Sequence, residues 1–336
     1  MSEICQQSVS LSAASISPAR VQEALRPWEI PGECVLEGLE FWQTGRYGPI
    51  CNGLLKRDGA STAVVVKSLR DGPNRPEAKE FVEWVLFHAT VCKHEKLVRM
   101  LFCQTKRLPM YLVLEAYSPG NLLHFLWTFR NTMRDSDVGD PVQHFSERSV
   151  FLVAKQVAAG LDYLMSEHRL VHGDVAARNI LIGPGLSARV SGLGVAFAGR
   201  QTDPAIRQRA AEVPLKWQAP ERIMKQPTID RSDVWSFGIL LYELITLGSP
   251  PYPELEPQSV LPQLQRSYRM RRPEDCGGPL HDLMKYCWMW SFKDRPAFSS
   301  IMKLLDSYLY LAATKALCIS EAIDIYEYNK KAGLLS

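Results

Sequence analysis

Residues 171–181 read VHGDVAARNIL, and this stretch decides how the rest of the chain is interpreted. An acidic residue, Asp174, is followed five positions later by an amide residue, Asn179. An aspartate in such a loop can accept a proton from a hydroxyl group, and an amide oxygen can contribute to a metal site. Because this spacing is also common in ordinary loops, its meaning depends on the surrounding sequence.

Three later stretches supply that context. Residues 213–221 read VPLKWQAPE, residues 232–248 read SDVWSFGILLYELITLG, and Asp294-Arg295-Pro296 follow them. Together with residues 171–181, they resemble tyrosine-kinase motifs in sequence and in their order along the chain. The resemblance covers about residues 35–312, and it implies that Arg295 pairs with Glu221.

The resemblance implies an α+β, bilobal protein-kinase fold. A small β-rich lobe of five strands and one helix is expected over about residues 35–117, and a larger, mainly helical lobe over about 118–312. Residues 1–34 are polar and predict a flexible arm, whereas residues 313–336 form a C-terminal tail. Residues 131–141 are polar and rich in aspartate, which predicts a surface insert.

Four residues are assigned catalytic roles by the same resemblance. Asp174 matches the base that accepts the substrate hydroxyl proton, and Asn179 matches a metal ligand. Arg178, in an Ala-Ala-Arg sequence, resembles the tyrosine-specific version of the loop. Lys67, at the end of a Val-rich strand, matches the lysine that contacts the α- and β-phosphates. A lone strand lysine is more often a solvated edge residue, and that interpretation stays open for Lys67.

A nucleotide site is expected around the glycine loop and the link between the lobes. Residues 43–48 read QTGRYG, in which Gln43 replaces the first glycine, and Pro49 removes a backbone N–H just beyond. The backbone of residues 115–117 is placed to contact adenine. The residues assigned to ATP binding are Gly45, Gly48, Ile50, Val65, Lys67, Glu115, Tyr117 and Leu181.

The metal site departs from the family pattern. Kinases place an aspartate about eighteen residues after the catalytic aspartate, but this position is Gly192, within the sequence Ser-Gly-Leu-Gly. A glycine side chain cannot ligate magnesium, which needs several oxygens in near-octahedral order. Only Asn179 remains as a metal ligand, so we do not expect Mg²⁺ to bind as it does in active kinases.

Two further positions, Trp84 and Gly173, also differ from the kinase-family pattern. The helix glutamate that pairs with the strand lysine is replaced by Trp84, although Glu80 or Glu83 could substitute if the helix rotates or shifts register. The catalytic-loop arginine is replaced by Gly173. Residues 195–212 contain no tyrosine, which excludes phosphotyrosine switching in that loop.

The closest likeness is to the receptor-like subfamily called novel oncogene with kinase domain. It rests on the His-Gly-Asp and Gly-Leu-Gly sequences and on LVLE at 112–115 and LLHFLW at 122–127. The departures from the kinase pattern at Gln43, Trp84, Gly173 and Gly192 favour a pseudokinase. Such a protein would signal by allostery or scaffolding and retain ATP as a ligand. One alternative is a slow ATP-dependent tyrosine kinase with Asp174 as base. Another is an interaction module that binds no nucleotide.

The charge, the cysteines and the length of the apolar runs indicate where the protein acts and which classes of partner it binds. The 39 basic and 36 acidic residues give a net charge of +3 without a long basic block, which argues against nucleic-acid binding. Eight scattered cysteines suit the reducing cytosol. The longest apolar run, 237–247, is far shorter than the roughly 20 residues of a membrane span. We therefore expect a cytoplasmic protein with protein partners, no transmembrane segment, and at most a peripheral membrane association through Cys5.

Overall fold

The fold is described from a computed structural model over residues 17–130, 144–201, 213–226, 230–319 and 321–334. The insert predicted at 131–141 and most of the loop after residue 201 lie outside these ranges. Within the described residues, no helix combines the length and the apolar character that crossing a bilayer requires.

The small lobe is an antiparallel sheet of five strands with one long helix against it, as the sequence predicts. The strand order is β1-β2-β3-β5-β4. Alternate valines of the third strand, Val64 and Val66, point into the core. The helix begins at a capping box in which Asn74 and Glu77 exchange hydrogen bonds. The elements are β1 (Val35–Thr44), β2 (Pro49–Arg57), β3 (Ala60–Ser68), α2 (Arg75–Val91), β4 (Met100–Gln104) and β5 (Tyr111–Glu115).

The segment before the sheet is more ordered than the sequence predicts. Residues Pro18–Leu25 form a helix, α1, and Arg26–Trp28 continue it as a short 3-10 turn. The side chain of Leu25 is fully buried, and α1 packs against α2. The expectation of a flexible arm is therefore wrong for this stretch, because its few apolar residues fall on one helix face that the small lobe covers.

The large lobe is mainly helical, with a small three-stranded sheet at the cleft. Ser146 caps its long central helix, and the helix after residue 230 is buried on nearly every side. The elements are β6 (Gly120–Asn121), α3 (Leu122–Thr128), α4 (Glu147–His168), β7 (Ile180–Gly183), β8 (Ser187–Val190), α5 (Gly194–Arg200), α6 (Pro220–Ile223), α7 (Asp230–Ile245), α8 (Val260–Gln265), α9 (Gly278–Cys287), α10 (Phe298–Tyr308) and α11 (Ile325–Ala332). Further 3-10 turns lie at Ala177–Asn179, Pro184–Leu186, Leu215–Trp217, Pro257–Ser259 and Phe292–Asp294.

One predicted long-range pair is confirmed. Arg295 donates two hydrogen bonds to the carboxylate of Glu221, at 2.7 and 2.9 Å, and both side chains are buried. Burial alone would raise the pKa of Glu221, but the charge and hydrogen bonds of Arg295 outweigh it and lower that pKa. The pair ties α6 to the chain just before α10.

Candidate nucleotide cleft and catalytic loop

A cavity of about 360 Å³ lies between the lobes, under the glycine loop. It is bounded by the loop, by α2 and by the Ser-Gly-Leu-Gly segment. The structure brings together seven residues that the sequence singles out: Gly45, Gly48, Ile50, Lys67, Trp84, Asp174 and Gly192. This is the concave site with convergent polar groups that a ligand would use.

The remaining residues assigned to ATP lie outside this cavity's lining. Glu115 forms an ion pair with Arg189 of β8 at 2.9 Å, and the guanidinium of Arg189 lies 4.8 Å from the centre of the Tyr117 ring. Val65 and Leu181 sit in the two sheets on either side, opposite Leu114 and Arg189. These contacts tie the link between the lobes to β8.

The catalytic loop closes on itself through side-chain hydrogen bonds. Asn179 donates from Nδ2 to the Asp174 carboxylate at 2.7 Å and to the Asp174 carbonyl at 2.8 Å. Arg178 forms an ion pair with the other carboxylate oxygen. Both oxygens of Asp174 are therefore engaged by neighbours within the loop.

Buried groups below the loop hold its backbone in place. Asp233, at the start of α7, accepts hydrogen bonds from the N–H groups of His172 and Gly173 at 2.6 and 2.9 Å. His172 accepts from the Asp174 N–H through Nδ1, at 3.2 Å, so its Nε2–H donates to the Ser191 carbonyl at 2.7 Å. Burial raises the pKa of Asp233. This network links the loop directly to the Ser-Gly-Leu-Gly segment.

Gly192 is packed so tightly that only glycine fits. Its φ of +72° is a conformation that residues with a side chain rarely adopt. A Cβ carbon added there would lie 2.4 Å from Asn179 Oδ1 and 2.5 Å from its Cγ. The Asn179 amide thus fills the space where the kinase-family aspartate would begin.

Lys67 has an uncharged environment on the helix side. Trp84, which replaces the helix glutamate of the family pattern, lines the same cavity together with His88. Burial lowers the pKa of Lys67, and Cys92 is the neighbour that partly offsets this effect. Among the described residues, no carboxylate forms an ion pair with Lys67.

Neither alternative glutamate replaces the missing partner. Glu80 accepts hydrogen bonds from Arg46 at 2.8 Å and from the Tyr47 hydroxyl at 3.0 Å, both in the glycine loop. Glu83 lies 3.8 Å from Lys79, its neighbour one turn earlier on α2. The helix therefore stays in the register that faces Trp84 towards the cleft, and Glu80 anchors the glycine loop instead.

An aromatic cluster occupies the position where the ion pair would be. The Trp84 ring lies 5.1 Å from that of Phe197 on α5, 5.8 Å from Phe87 and 4.1 Å from His88. Tyr47 completes the cluster from the glycine loop, 6.1 Å from Trp84. Edge and stacked contacts of this kind stabilise the packing beyond the burial of apolar area. They join α2, α5 and the glycine loop.

Gly173 also leaves a space that another residue fills. Its φ is +81°, and an added Cβ would lie 2.5 Å from a methyl of Val195 and 2.9 Å from Arg222 Nη1. The Arg222 guanidinium donates to the Gly173 carbonyl. The family pattern would place an arginine at position 173. In this chain Arg222, from α6, contacts the backbone at that position instead.

Phe197 and Tyr47 are among the members of this site that the sequence did not indicate. Each is an aromatic residue next to a glycine-containing motif, and such residues have no periodic pattern that would predict their partners. The only signal was that Trp84 replaces a charged residue, which implies new apolar neighbours.

Comparison with known proteins agrees with this geometry. The family model for protein tyrosine and serine/threonine kinases matches residues 38–305. The chain belongs to that kinase family. The tyrosine-kinase resemblance of residues 171–181 and 213–221 is thereby confirmed.

Individual relatives show which members of the kinase family this chain resembles. Tyrosine-protein kinase STYK1 of Homo sapiens is 40% identical over 314 residues, which are 93% of this kinase chain and 73% of that protein. STYK1 of Mus musculus is 38% identical over 309 residues, covering 91% and 71%. Tyrosine-protein kinase Abl of Drosophila melanogaster is 35% identical over 262 residues, covering 78% of this chain and 15% of that protein. The likeness to the novel oncogene with kinase domain subfamily is thus confirmed.

Proposed function

We propose that this kinase-family chain is a pseudokinase that signals by allostery or scaffolding and transfers phosphate poorly or not at all. The observation that carries the proposal is the contact between Asn179 and Gly192. No carboxylate stands at position 192, and the space for one is taken by the Asn179 amide. The rate of phosphoryl transfer depends mainly on positioning the phosphate and on neutralising its charge in the transition state. The missing carboxylate at position 192 therefore affects the main source of rate enhancement.

The oxygen donors around position 192 do not fit a magnesium ion. Both carboxylate oxygens of Asp174 already have a partner within the loop, Arg178 for one and Asn179 for the other. Asn179 supplies one amide oxygen, and Gly192 supplies no side-chain oxygen. Among the described residues, no group of three or more histidine, cysteine, aspartate or glutamate side chains is arranged to hold a metal. Magnesium prefers near-octahedral oxygen ligation, which this set falls short of.

The small lobe supports the same proposal. Trp84 replaces a carboxylate that would position Lys67, and Trp84 is itself only 7% exposed within the aromatic cluster. The cluster fixes α2 against α5, which favours one rigid arrangement of the two lobes. A fixed arrangement of this kind suits a module that presents a surface to protein partners.

ATP remains the proposed ligand of the cleft. The cavity keeps the glycine loop and Lys67, whose amine can meet phosphate oxygens. A thermal shift with ATP tests this directly, since a ligand that binds the folded state stabilises it by RT ln(1 + [L]/Kd). A shift that does not depend on magnesium is expected. No change in melting temperature at millimolar ATP would favour the interaction module that binds no nucleotide. With or without bound nucleotide, we propose that the protein acts in the cytoplasm.

A slow tyrosine kinase is the second candidate, and one observation favours it. Asp174 lines the cavity and forms an ion pair with Arg178, the residue that resembles the tyrosine-specific version of the loop. The two functions are separated by incubating the protein with magnesium, labelled ATP and a tyrosine-containing polymer, beside an Asp174→Asn variant. Equal label in both supports the pseudokinase. Label in the parent protein that clearly exceeds the variant would establish the kinase instead.

A further inference from the structure

The C-terminal helix α11 is a short element that folds back onto the large lobe. It spans eight residues, begins at Asp324, whose side chain accepts a hydrogen bond from the Glu327 N–H, and ends at Gly333 in a left-handed conformation. Isolated helices of this length are marginal in water. Its helical state therefore depends on the surface against which it packs.

The docked face of α11 is centred on Tyr328. This side chain is only 3% exposed, whereas Tyr326, two residues earlier, is 65% exposed. The Tyr328 ring contacts Trp127 of α3 edge to face, with centres 5.0 Å apart, and the Trp127 indole donates to the Gly248 carbonyl at 2.9 Å. The chain thus offers two tail tyrosines in opposite environments.

The C-terminal end of α11 is held by a buried lysine. Lys216 donates from Nζ to the Lys331 carbonyl and, at 2.9 Å, to the Tyr252 carbonyl. Ala332 is fully buried, and Gly333 packs close to Pro257. Lys216 lies in the VPLKWQAPE stretch, so the tail is attached directly to residues 213–221.

The surroundings of the Tyr328 hydroxyl leave no room for a further negative charge. Its Oη is buried without a hydrogen-bond partner, and so is Oε1 of Glu243. Burial raises the pKa of Glu243 to about 7, an effect that its bond from the Ala177 N–H, the nearby Trp217 indole and Arg178 only partly offset. Glu243 and Arg178 are also the charged neighbours that act on Tyr328. An added phosphate would therefore have to be buried beside an acidic group, where only one arginine opposes it.

We propose that Tyr328 is a phosphorylation site that controls the docking of α11 on the large lobe. In the docked state the hydroxyl is inaccessible, so modification occurs when the short terminal helix opens locally. A phosphate adds about −1.5 to −2 charges, which prevents the ring from returning to its buried place. Phosphorylation at Tyr328 thus releases the tail, and phosphorylation at the exposed Tyr326 leaves it docked.

The modification requires a separate protein tyrosine kinase and ATP. The Tyr328 oxygen forms a bond to the γ-phosphorus while the bond from that phosphorus to the β–γ bridging oxygen breaks. ADP leaves, and the hydroxyl proton passes to the base of the modifying kinase. The inference is therefore independent of whether this chain transfers phosphate itself.

Release of α11 uncovers a surface beside the catalytic loop. Trp127 and Pro257 lose an apolar cover, and Lys216 loses one of its two carbonyl partners. Arg178 lies under the same edge, where its guanidinium stacks 4.5 Å from the Trp217 ring. The tail thus connects the state of Tyr328 to the loop that carries Asp174.

Hydrogen exchange of the full chain tests the proposal with matched variants. We compare Tyr328→Glu with Tyr326→Glu, which introduces the same charge at the exposed position. Exchange of the amides in 325–332 is expected to rise at least roughly tenfold in Tyr328→Glu and to stay near the parent level in Tyr326→Glu. Amides of 215–217 should exchange faster in the first variant only, while α7 stays protected in both.

Two outcomes of that comparison would overturn the proposal: parent-like protection of α11 in Tyr328→Glu, or an equal loss of protection in Tyr326→Glu. A chain that ends at Asp324 serves as the second variant, in case Tyr328→Glu fails to fold. The truncated chain is expected to fold and to protect α7 as the parent does. If it does not fold, α11 is a fixed part of the domain rather than a releasable tail, and the proposal is wrong.

Discussion

The side-chain amide of Asn179 lies against the Cα of Gly192, where an added Cβ would come within 2.4 Å of Asn179 Oδ1. The same amide donates to both the carboxylate and the carbonyl of Asp174. Asn179 therefore serves as an internal brace of the catalytic loop. A carboxylate side chain at position 192 would therefore require the Asn179 side chain to move.

Substitution at 192 should be costly even for the smallest side chain. Gly192→Ala forces a Cβ into the Asn179 amide at a positive φ, and we expect a loss of roughly 1–3 kcal/mol in the free energy of unfolding. Gly194→Ala is the matched control, because an added Cβ there meets nothing within 4 Å. Urea unfolding of both variants measures the difference. Equal stability of the two would contradict the packing described for Gly192.

The sequence predicted this site where motifs fix residues at set spacings. Asp174, Asn179 and Gly192 were placed by counting along loops, and the Glu221–Arg295 pair by two short motifs. The Asn179 contact with Gly192 could not be predicted in this way, because residue spacing does not determine a side-chain conformation.

The aromatic cluster should couple the small lobe to α5. Trp84→Ala and Phe197→Ala remove rings that lie 5.1 Å apart, and the double variant should lose less stability than the sum of the single losses. The expected coupling is about 0.5–1.5 kcal/mol in a double-mutant cycle from denaturant unfolding. Trp42, which is half exposed on β1, provides the control partner for Phe197. A coupling near zero for Trp84, as is expected for Trp42, would rule out the cluster as a link.

Acid should weaken the fold through His88. Burial lowers the pKa of this side chain to about 3, from an unfolded value of about 6.5. Between these values the unfolded chain binds a proton that the folded chain excludes, so stability falls as the pH drops below about 6.5. His88→Gln should flatten this dependence between pH 7 and 5, whereas His144→Gln, at an exposed position, should leave it steep. An unchanged slope in His88→Gln would show that the loss of stability has another source.

The buried ion pair of the large lobe should be sensitive to loss of one partner. Glu221→Gln removes the charge that Arg295 faces, and a cost of roughly 3–5 kcal/mol is typical when a buried charge loses its partner. Asp306→Asn, in the exposed pair with Lys155, should change stability little. Chemical denaturation of the two variants provides the comparison. Similar small effects in both would mean that Glu221 contributes mainly packing.

Tertiary contacts explain what the sequence could not predict. Leu25 and Tyr328 lie in polar segments near the chain ends, and such segments usually predict exposure. Both side chains are buried because a distant element covers them, α2 for Leu25 and α3 for Tyr328. Glu80 likewise contacts Arg46 and Tyr47 across 33 or more residues. Local pattern cannot predict partners at that separation.

The absence of a metal site beside position 192 is tested most directly by measuring whether a divalent cation binds there with nucleotide. Mn²⁺ is a paramagnetic substitute for Mg²⁺, and its binding is followed by water-proton relaxation in the presence of ATP, for the parent protein and for Asn179→Ala. We predict equal relaxation enhancement for the two proteins, because Mn²⁺ enters the cleft only as a ligand of ATP and not through Asn179. Strong enhancement in the parent that is lost in Asn179→Ala would show that this chain holds a metal ion at the site despite Gly192.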